Sequence, residues 1–370
     1  MRTYILFILL SLCIIGCKES SKKRDRANYT TYSISNMDVK PIEEGINNQY
    51  FTEPIFIKLK SKDINTDFGR VSKIKLANDK IYILDQGIKS LIVYQKTGNA
   101  IGKVGRKGQG PNEYLDIADF DIDKENNIYT IDGRWDKLFI YNSDFSLRSS
   151  KKLPFEADKI QLLDNGNYMF ALSSWNKGEG EGYRIAITDS SFNIIQTYLQ
   201  YDKFIDENFW ISDYQLTQTK DHIIYNKPID NDIHLFTLNG ELLKSVTLDF
   251  GKENVENEKK KNIEKYIREF DNYSLLKNFP VIYSDIIIGT LWEHRNSKVF
   301  LLDTKENILY KSKKFDDSDN SFYAGFCDST IISFIHPDYY EESFDYHLLS
   351  EDQLEHLKNG DFILSLRHFR

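Results

Sequence analysis

Positive charge is in short supply in this chain. There are 48 lysines and arginines against 56 acids, for a net charge of −8 over 370 residues. A face built to hold nucleic acid would carry the opposite balance, so nucleic acid is excluded as the main partner. Cysteine is scarcer still, with three residues, too few for a disulfide framework or a thiolate metal cage. The apolar run Tyr4 to Ile15 is twelve residues long, short of the roughly 18–20 that a membrane span needs. Helical periodicity is confined to Asn262 to Phe270, whereas a parallel α/β fold needs it in every unit. None of the seven histidines sits in H-E-x-x-H or at zinc spacing with cysteine, and no G-x-S-x-G elbow is present. No catalytic residue, metal ligand set or cofactor is therefore implied.

What the chain does have is apolar and aromatic mass. Hydrophobic residues make up 41% and aromatics 14%, including 23 tyrosines and 24 phenylalanines. That is enough for a large core, and seven prolines with 28% charged residues do not describe a disordered chain.

The start, "MRTYILFILLSLCIIGCKESSKKRDR", has a positive residue, Arg2, ahead of the apolar run. This is the layout of a signal peptide. The run ends in Ile14-Ile15-Gly16-Cys17, which resembles the lipobox of bacterial lipoproteins, where a small residue precedes the cysteine that is lipidated. The resemblance implies a signal over residues 1–16, a lipid on Cys17 and a mature charge of −9 once Arg2 is lost. Cys13 leaves with the signal, so Cys327 remains alone. The polar stretch after Cys17 reads as a tether, giving a lipidated cysteine and tether over 17–49. The expected address is the cell envelope, as an outer-membrane lipoprotein facing the periplasm or the surface, with the lipid as its membrane contact.

A repeat organises the rest. Short apolar strands running into polar turns recur as "LIVYQKTGN", "LFIYNSDFS", "IAITDSSFN", "HLFTLNGEL" and "VFLLDTKEN". Their strands end at Tyr94, Tyr141, Thr188, Thr237 and Leu302, at steps of 47, 47, 49 and 65 residues. The long step contains an insertion, residues 251–278, with the helical pattern of Ile263, Tyr266, Ile267 and Phe270. An earlier strand precedes each repeat: "KIYILD", "NIYTID", "NYMFAL", "HIIYN", "DIIIGT" and, near the end, "TIISFI". Six such strands, in units of about 40–50 residues with four strands each, predict a six-bladed β-propeller over residues 50–370. The fold class is all-β with one short helical insertion. "PIFIKL" (Pro54 to Leu59) has no blade of its own and is expected to close the ring beside the last strand, "DFILSLRHF". A second register, with Tyr346 to Leu349 as a third strand, would leave "PIFIKL" unused.

The stretch "GKVGRKGQGPNEY", Gly102 to Tyr114, lacks the order of a phosphate-binding loop. It reads instead as a tight connection between the first and second blades. With Gly105, Gly108, Gly110, Pro111, Glu113 and Tyr114 it resembles the G-x-G-x-G-P-G-E-F connection of NHL-type propellers, with Asn112 for a glycine and Tyr114 for phenylalanine. Taken with the lipobox and the blade count, the chain resembles the six-bladed β-propeller lipoproteins of Bacteroidetes, of the NHL-repeat-like or TolB-like kind. "DFDIDKENNIY", Asp119 to Tyr129, alternates acids but lacks the glycine and terminal glutamate of a calcium loop. It reads as a strand entering a hairpin turn.

Blade strands run up and down, so loops between second and third strands share a face with blade-to-blade connections. That places Trp135, Trp175, Trp292 and His294 on one face, with His336, Tyr339 and Tyr340 from the last blade. Connections add Arg106, Lys107 and Trp210. Such a face suits a glycan, a peptide or an envelope protein, its rings supplying apolar area and its polar groups orientation. Capping of each blade by its own indole is the competing reading. The expected function is a ligand- or protein-binding module. The alternative is a metal-assisted, lactonase-like hydrolase or lyase with its site in the central channel.

Overall fold

A computed structural model describes residues 28–42, 49–60, 68, 70–202, 214–226, 230–261, 263–266, 269, 272–277, 280–294, 296–312, 325–343 and 345–370. Six β-sheets are arranged as the blades of a ring. Blade 1 comprises Val71–Ala77, Lys80–Asp85, Ser90–Gln95 and Ala100–Lys103. Blade 2 comprises Asp119–Ile122, Ile128–Asp132, Lys137–Tyr141 and Leu147–Lys152. Blade 3 runs from Ala157–Leu162 to Ile194–Gln200, and blade 4 from Leu216–Gln218 to Leu242–Asp249. Each of the six apolar strands expected from the repeat is the second strand of its blade.

These second and third strands read as unbroken apolar runs because both faces of a blade are covered by its neighbours. Ile81 to Leu84 and Leu91 to Tyr94 are all buried. Each such side chain contributes about 1.5–3 kcal/mol of burial. Outer strands such as Ala100–Lys103 alternate between half-buried and exposed, as one-sided packing requires.

Closure follows the expected pairing. Ile55–Leu59 is antiparallel to the last strand, Phe362–His368, with Ile57 opposite Leu364, and completes blade 6. Tyr346–Leu348 is a short 3-10 turn and not a strand.

Two features depart from the sequence reading. The proposed tether over 17–49 is in part structured. Asn28–Ser33 pairs in parallel with the outer strand of blade 4, and Asp38–Pro41 pairs in parallel with Ile308–Lys311 of blade 5. Ile34, Ile42 and Phe51 are buried in the core shared by blades 4, 5 and 6. The described stretches before the first blade thus form a belt along three successive blades, contributing a fifth strand, another outer strand and the closing strand in turn. The insertion also ends sooner than expected. Ser274–Leu276 is not part of it but pairs with Leu291 to Glu293 in blade 5. The inner edge of that blade is split, continuing as Val281–Tyr283 on the same long second strand, with Pro280 between the two pieces. Of the helix expected over Asn262 to Phe270, Ile263–Tyr266 forms a single turn, and Ile267 and Phe270 lie outside the described residues.

Candidate functional site

The inner strands carry alternating polar residues into the channel. In blade 2 these are Asp119 and Asp121, and both belong to an inter-blade staple. Asp119 Oδ1 accepts from Lys73 Nζ of blade 1 at 2.8 Å, and its Oδ2 accepts from the Ile160 amide of blade 3 at 2.9 Å. Asp121 repeats the pattern one residue pair along. It pairs with Lys75 on one side and takes Gln161 Nε2 and the Leu162 amide, both at 2.7 Å, on the other. The two carboxylates join three blades, and their oxygens are occupied by lysines and amides. Burial holds the Lys73 amine below its ordinary range, against the pull of Asp119.

Further bonds narrow the channel. Gln161 Nε2 donates to Gln218 Oε1 of blade 4 at 3.0 Å. Gln215 of blade 4 donates across to the Ser72 carbonyl of blade 1. Thr219 and Asp328 bridge the inner strands of blades 4 and 6 in parallel.

The staple and the two glutamine bonds lie at the base of a cavity of about 710 Å³, lined by blades 1, 2, 3, 4 and 6. The cavity opens where inner strands turn into second strands, at Asn78, Asp123 to Glu125, Asp164 to Asn167 and Asp328. Acids outnumber bases at this mouth. Asp123 is fixed by the Asn127 amide at 2.7 Å, and Lys124 reaches Asp164 at 3.3 Å. Thr217 Oγ1, buried on the wall, has no hydrogen-bond partner among the described residues. The Cys327 thiol lines the same wall and donates to the Leu76 carbonyl at 3.2 Å. Burial first, and then Asp328, push it up to about 11.

The residues expected to share a face are not brought together: those that are described stand in separate places. Arg106 is exposed and pairs with Glu113 at 3.0 Å, while Lys107 joins Tyr114 through a backbone bridge. This settles the glycine-rich stretch as a self-tied turn: the Gly110 amide goes to the Glu113 carboxylate at 2.9 Å and the Gly108 amide to the Tyr114 carbonyl at 2.9 Å. Gly105 has φ +67°, and a Cβ there would run into the Tyr141 hydroxyl. Trp135 is half-buried beneath Lys137, 5.5 Å from ring centre to ammonium. It borders a groove of about 420 Å³ with Pro111 and Arg134. Trp175 is 47% exposed on blade 3.

Trp292 is a strand residue and serves as footing for the insertion, packing with Val255, Tyr273 and Leu275. His294 is exposed, 3.6 Å from Glu253. His336 packs edge-on against Phe362 and near Tyr339, and burial lowers its pKa. Tyr339 is 48% exposed, and Tyr340 packs on the Ile335–Leu357–Ile363 cluster. Trp210 lies outside the described residues. The sequence reading put its candidate residues on the aromatic face and named no residue of the cavity, although its alternative looked to the central channel. The cavity's signal was the period-2 polar pattern of the inner strands, "SKIKLA", "DFDID" and "YQLTQ".

A family model described as a 6-bladed beta-propeller (DUF5128) matches residues 24–323. Among solved structures, a candidate exported protein of Bacteroides fragilis is similar at a TM-score of 0.70 with 18% identity, covering 93% of this chain and 100% of that one. A DUF4221 family member from Bacteroides vulgatus is similar at a TM-score of 0.53 with 8% identity, covering 86% and 97%. A search of the curated proteins finds no significant match.

Proposed function

We propose, from the premise that the chain belongs to the six-bladed β-propeller family, that it is a ligand-binding module of the cell envelope held by a lipid on Cys17. Its ligand-binding site is the cavity at the channel mouth. The observation that carries this reading is the cavity itself: about 710 Å³, concave, with amides and a hydroxyl on its walls and a rigid, cross-linked base. Its size is that of small-molecule sites, and its mixed polar and apolar lining is what orients a ligand. The acidic mouth favours a neutral or cationic, hydrogen-bonding ligand, such as a neutral oligosaccharide or an amine-bearing peptide. Export is supported by the similarity to the Bacteroides fragilis protein. No helix among the described residues is long and apolar enough to cross a membrane. Binding is favoured over catalysis because the inner-strand carboxylates Asp119 and Asp121 are committed to the staple.

The test uses the chain lacking residues 1–17, in which Cys327 is the sole cysteine. Neutral oligosaccharides and short peptides are screened by thermal shift, and each hit is titrated against Ala77→Trp, which adds bulk at a residue that lines the cavity and borders the blade 1–blade 2 core, once its melt shows a folded ring. A loss of about tenfold or more in affinity, with slowed alkylation of Cys327 in the bound state, is expected. Hits that bind Ala77→Trp as tightly and leave Cys327 alkylation unchanged would remove the cavity from the reading.

A further inference from the structure

We propose that the groove between Pro111 and Trp135, on the face opposite the cavity, is a second binding site, for a carboxylate-bearing sugar. The groove runs between the blade 1–blade 2 connection and the loop joining the second and third strands of blade 2, and holds about 420 Å³. Three cations border it, Arg134, Lys137 and Lys152, against one acid, Asp136. In a chain of net charge −8 this is a local reversal of sign.

The cations are not equivalent. Lys137 holds the groove's two walls together: its ammonium donates to the Pro111 carbonyl at 3.2 Å and lies over both Trp135 and Phe139. Arg134 is 66% exposed and only 4.0 Å from Asp116, a carboxylate that Lys89 already holds at 2.9 Å. Its guanidinium remains available for a two-pronged contact with a ligand carboxylate. Lys152 is exposed, lines the groove opposite Lys137 and makes no ion pair within 4 Å among the described residues, though its charge is felt by Asp136. Asp136 is a weak objection to an anion, because burial raises its carboxyl toward the neutral form, against the pull of Lys152.

The aromatic wall decides the ligand class. A small inorganic anion would call for cations converging on one point. Here they flank a slot that Pro111 and the Trp135 indole also line, with Lys137 and Lys152 opposite each other across a strand pair and Arg134 on the adjoining loop. Flat apolar walls suit the C–H faces of a pyranose, while the flanking cations suit its carboxylates.

The probe is tri-galacturonate, titrated calorimetrically into the chain lacking residues 1–17, with maltotriose as the neutral counterpart. Tri-galacturonate is expected to bind, and maltotriose to bind at least tenfold more weakly in this groove. Arg134→Ala and Trp135→Ala should each weaken the acidic trimer tenfold or more, Lys152→Ala less, and raising the salt from 50 to 500 mM should weaken it further. Arg134 and Lys152 are exposed, so their variants should melt with the parent. If Trp135→Ala fails to fold, Trp135→Phe replaces it, with a partial loss expected. Ala77→Trp should leave this binding unchanged, which separates the groove from the channel cavity. The proposal is overturned by equal binding of the two trimers, by no binding of tri-galacturonate, or by parent-like affinity in Arg134→Ala. Binding of a poly-glutamate peptide without tri-galacturonate would also overturn it, assigning the groove to acidic protein.

Discussion

Replacing Asp119 by asparagine removes one charge from the staple while keeping the shape of the side chain. The carboxylate now serves Lys73 with one oxygen and the Ile160 amide with the other, at 2.8 and 2.9 Å. Asparagine has one oxygen. If it stays on Ile160, an NH2 group faces an ammonium whose side chain is 7% exposed. The Phe120 carbonyl, at 2.8 Å, is then the only acceptor left to Lys73 among the described residues. Breaking a buried pair in this way costs about 3–5 kcal/mol.

The cost has a ceiling, because the lysine can lose its proton instead. From an ordinary value of 10.5 to a working pH of 7.5, neutralising it costs about 4 kcal/mol. In the variant the folded state then binds one proton fewer than the unfolded state. Its stability therefore rises with pH, by up to about 1.4 kcal/mol per unit, until pH reaches the unfolded value. Urea titrations of parent and Asp119→Asn at pH 7.5 and 9.5 should show a deficit of about 3–4 kcal/mol that shrinks by up to about 2–3 kcal/mol, and by less where the parent's own Lys73, held below its ordinary range, also loses its proton. Adding Lys73→Met removes the stranded ammonium and leaves the asparagine on Ile160, so the double variant should recover most of the loss. A deficit below about 1 kcal/mol, or one that does not change with pH, would refute the staple as a paired, desolvated unit.

Two other predictions concern blade 4 and the anchor. His234 is buried against the Ser245 hydroxyl at 2.7 Å, and burial, with Arg184 nearby, depresses it to about 3. The unfolded chain takes up its proton near 6.5 and the folded chain does not, so stability is complete above 6.5 and is lost as pH falls toward 3. Between pH 6.5 and 4.5 the parent should lose about 2–3 kcal/mol more than His234→Asn in urea titrations; parallel slopes would show that His234 does not titrate this way. Cys17→Ala, expressed at full length, should move the protein out of the membrane fraction, and unchanged fractionation would remove the lipid anchor from the proposed function.

Strand positions were readable because each blade has its own short-range pattern. "LIVY" and "LFIY" are apolar throughout since a blade's middle strands are buried on both faces. "PIFIKL" was readable as a closing strand because it was left without a blade of its own. The belt was not readable. "NYTTYS" is mostly exposed where it pairs with blade 4, so it shows no apolar period, and its pairing uses backbone groups that any sequence carries. Trp292 looked like a ligand platform because an indole beside a loop is ambiguous in sequence. Its contacts with Val255 and Tyr273 come from the fold of the insertion.

The sequence by itself determined the all-β class, the six units, the closing strand and the turn at Gly102 to Tyr114. All of these rest on periodicity, chain order and local backbone chemistry, which act between residues close along the chain. Only the tertiary structure decided where the channel is spanned and where it opens. Lys73, Asp119 and Ile160 lie 46 and 41 residues apart, and Gln215 meets Ser72 across 143. Which polar groups pair across such separations depends on the closed ring bringing inner strands of different blades within bonding distance. No pattern along a single strand encodes that.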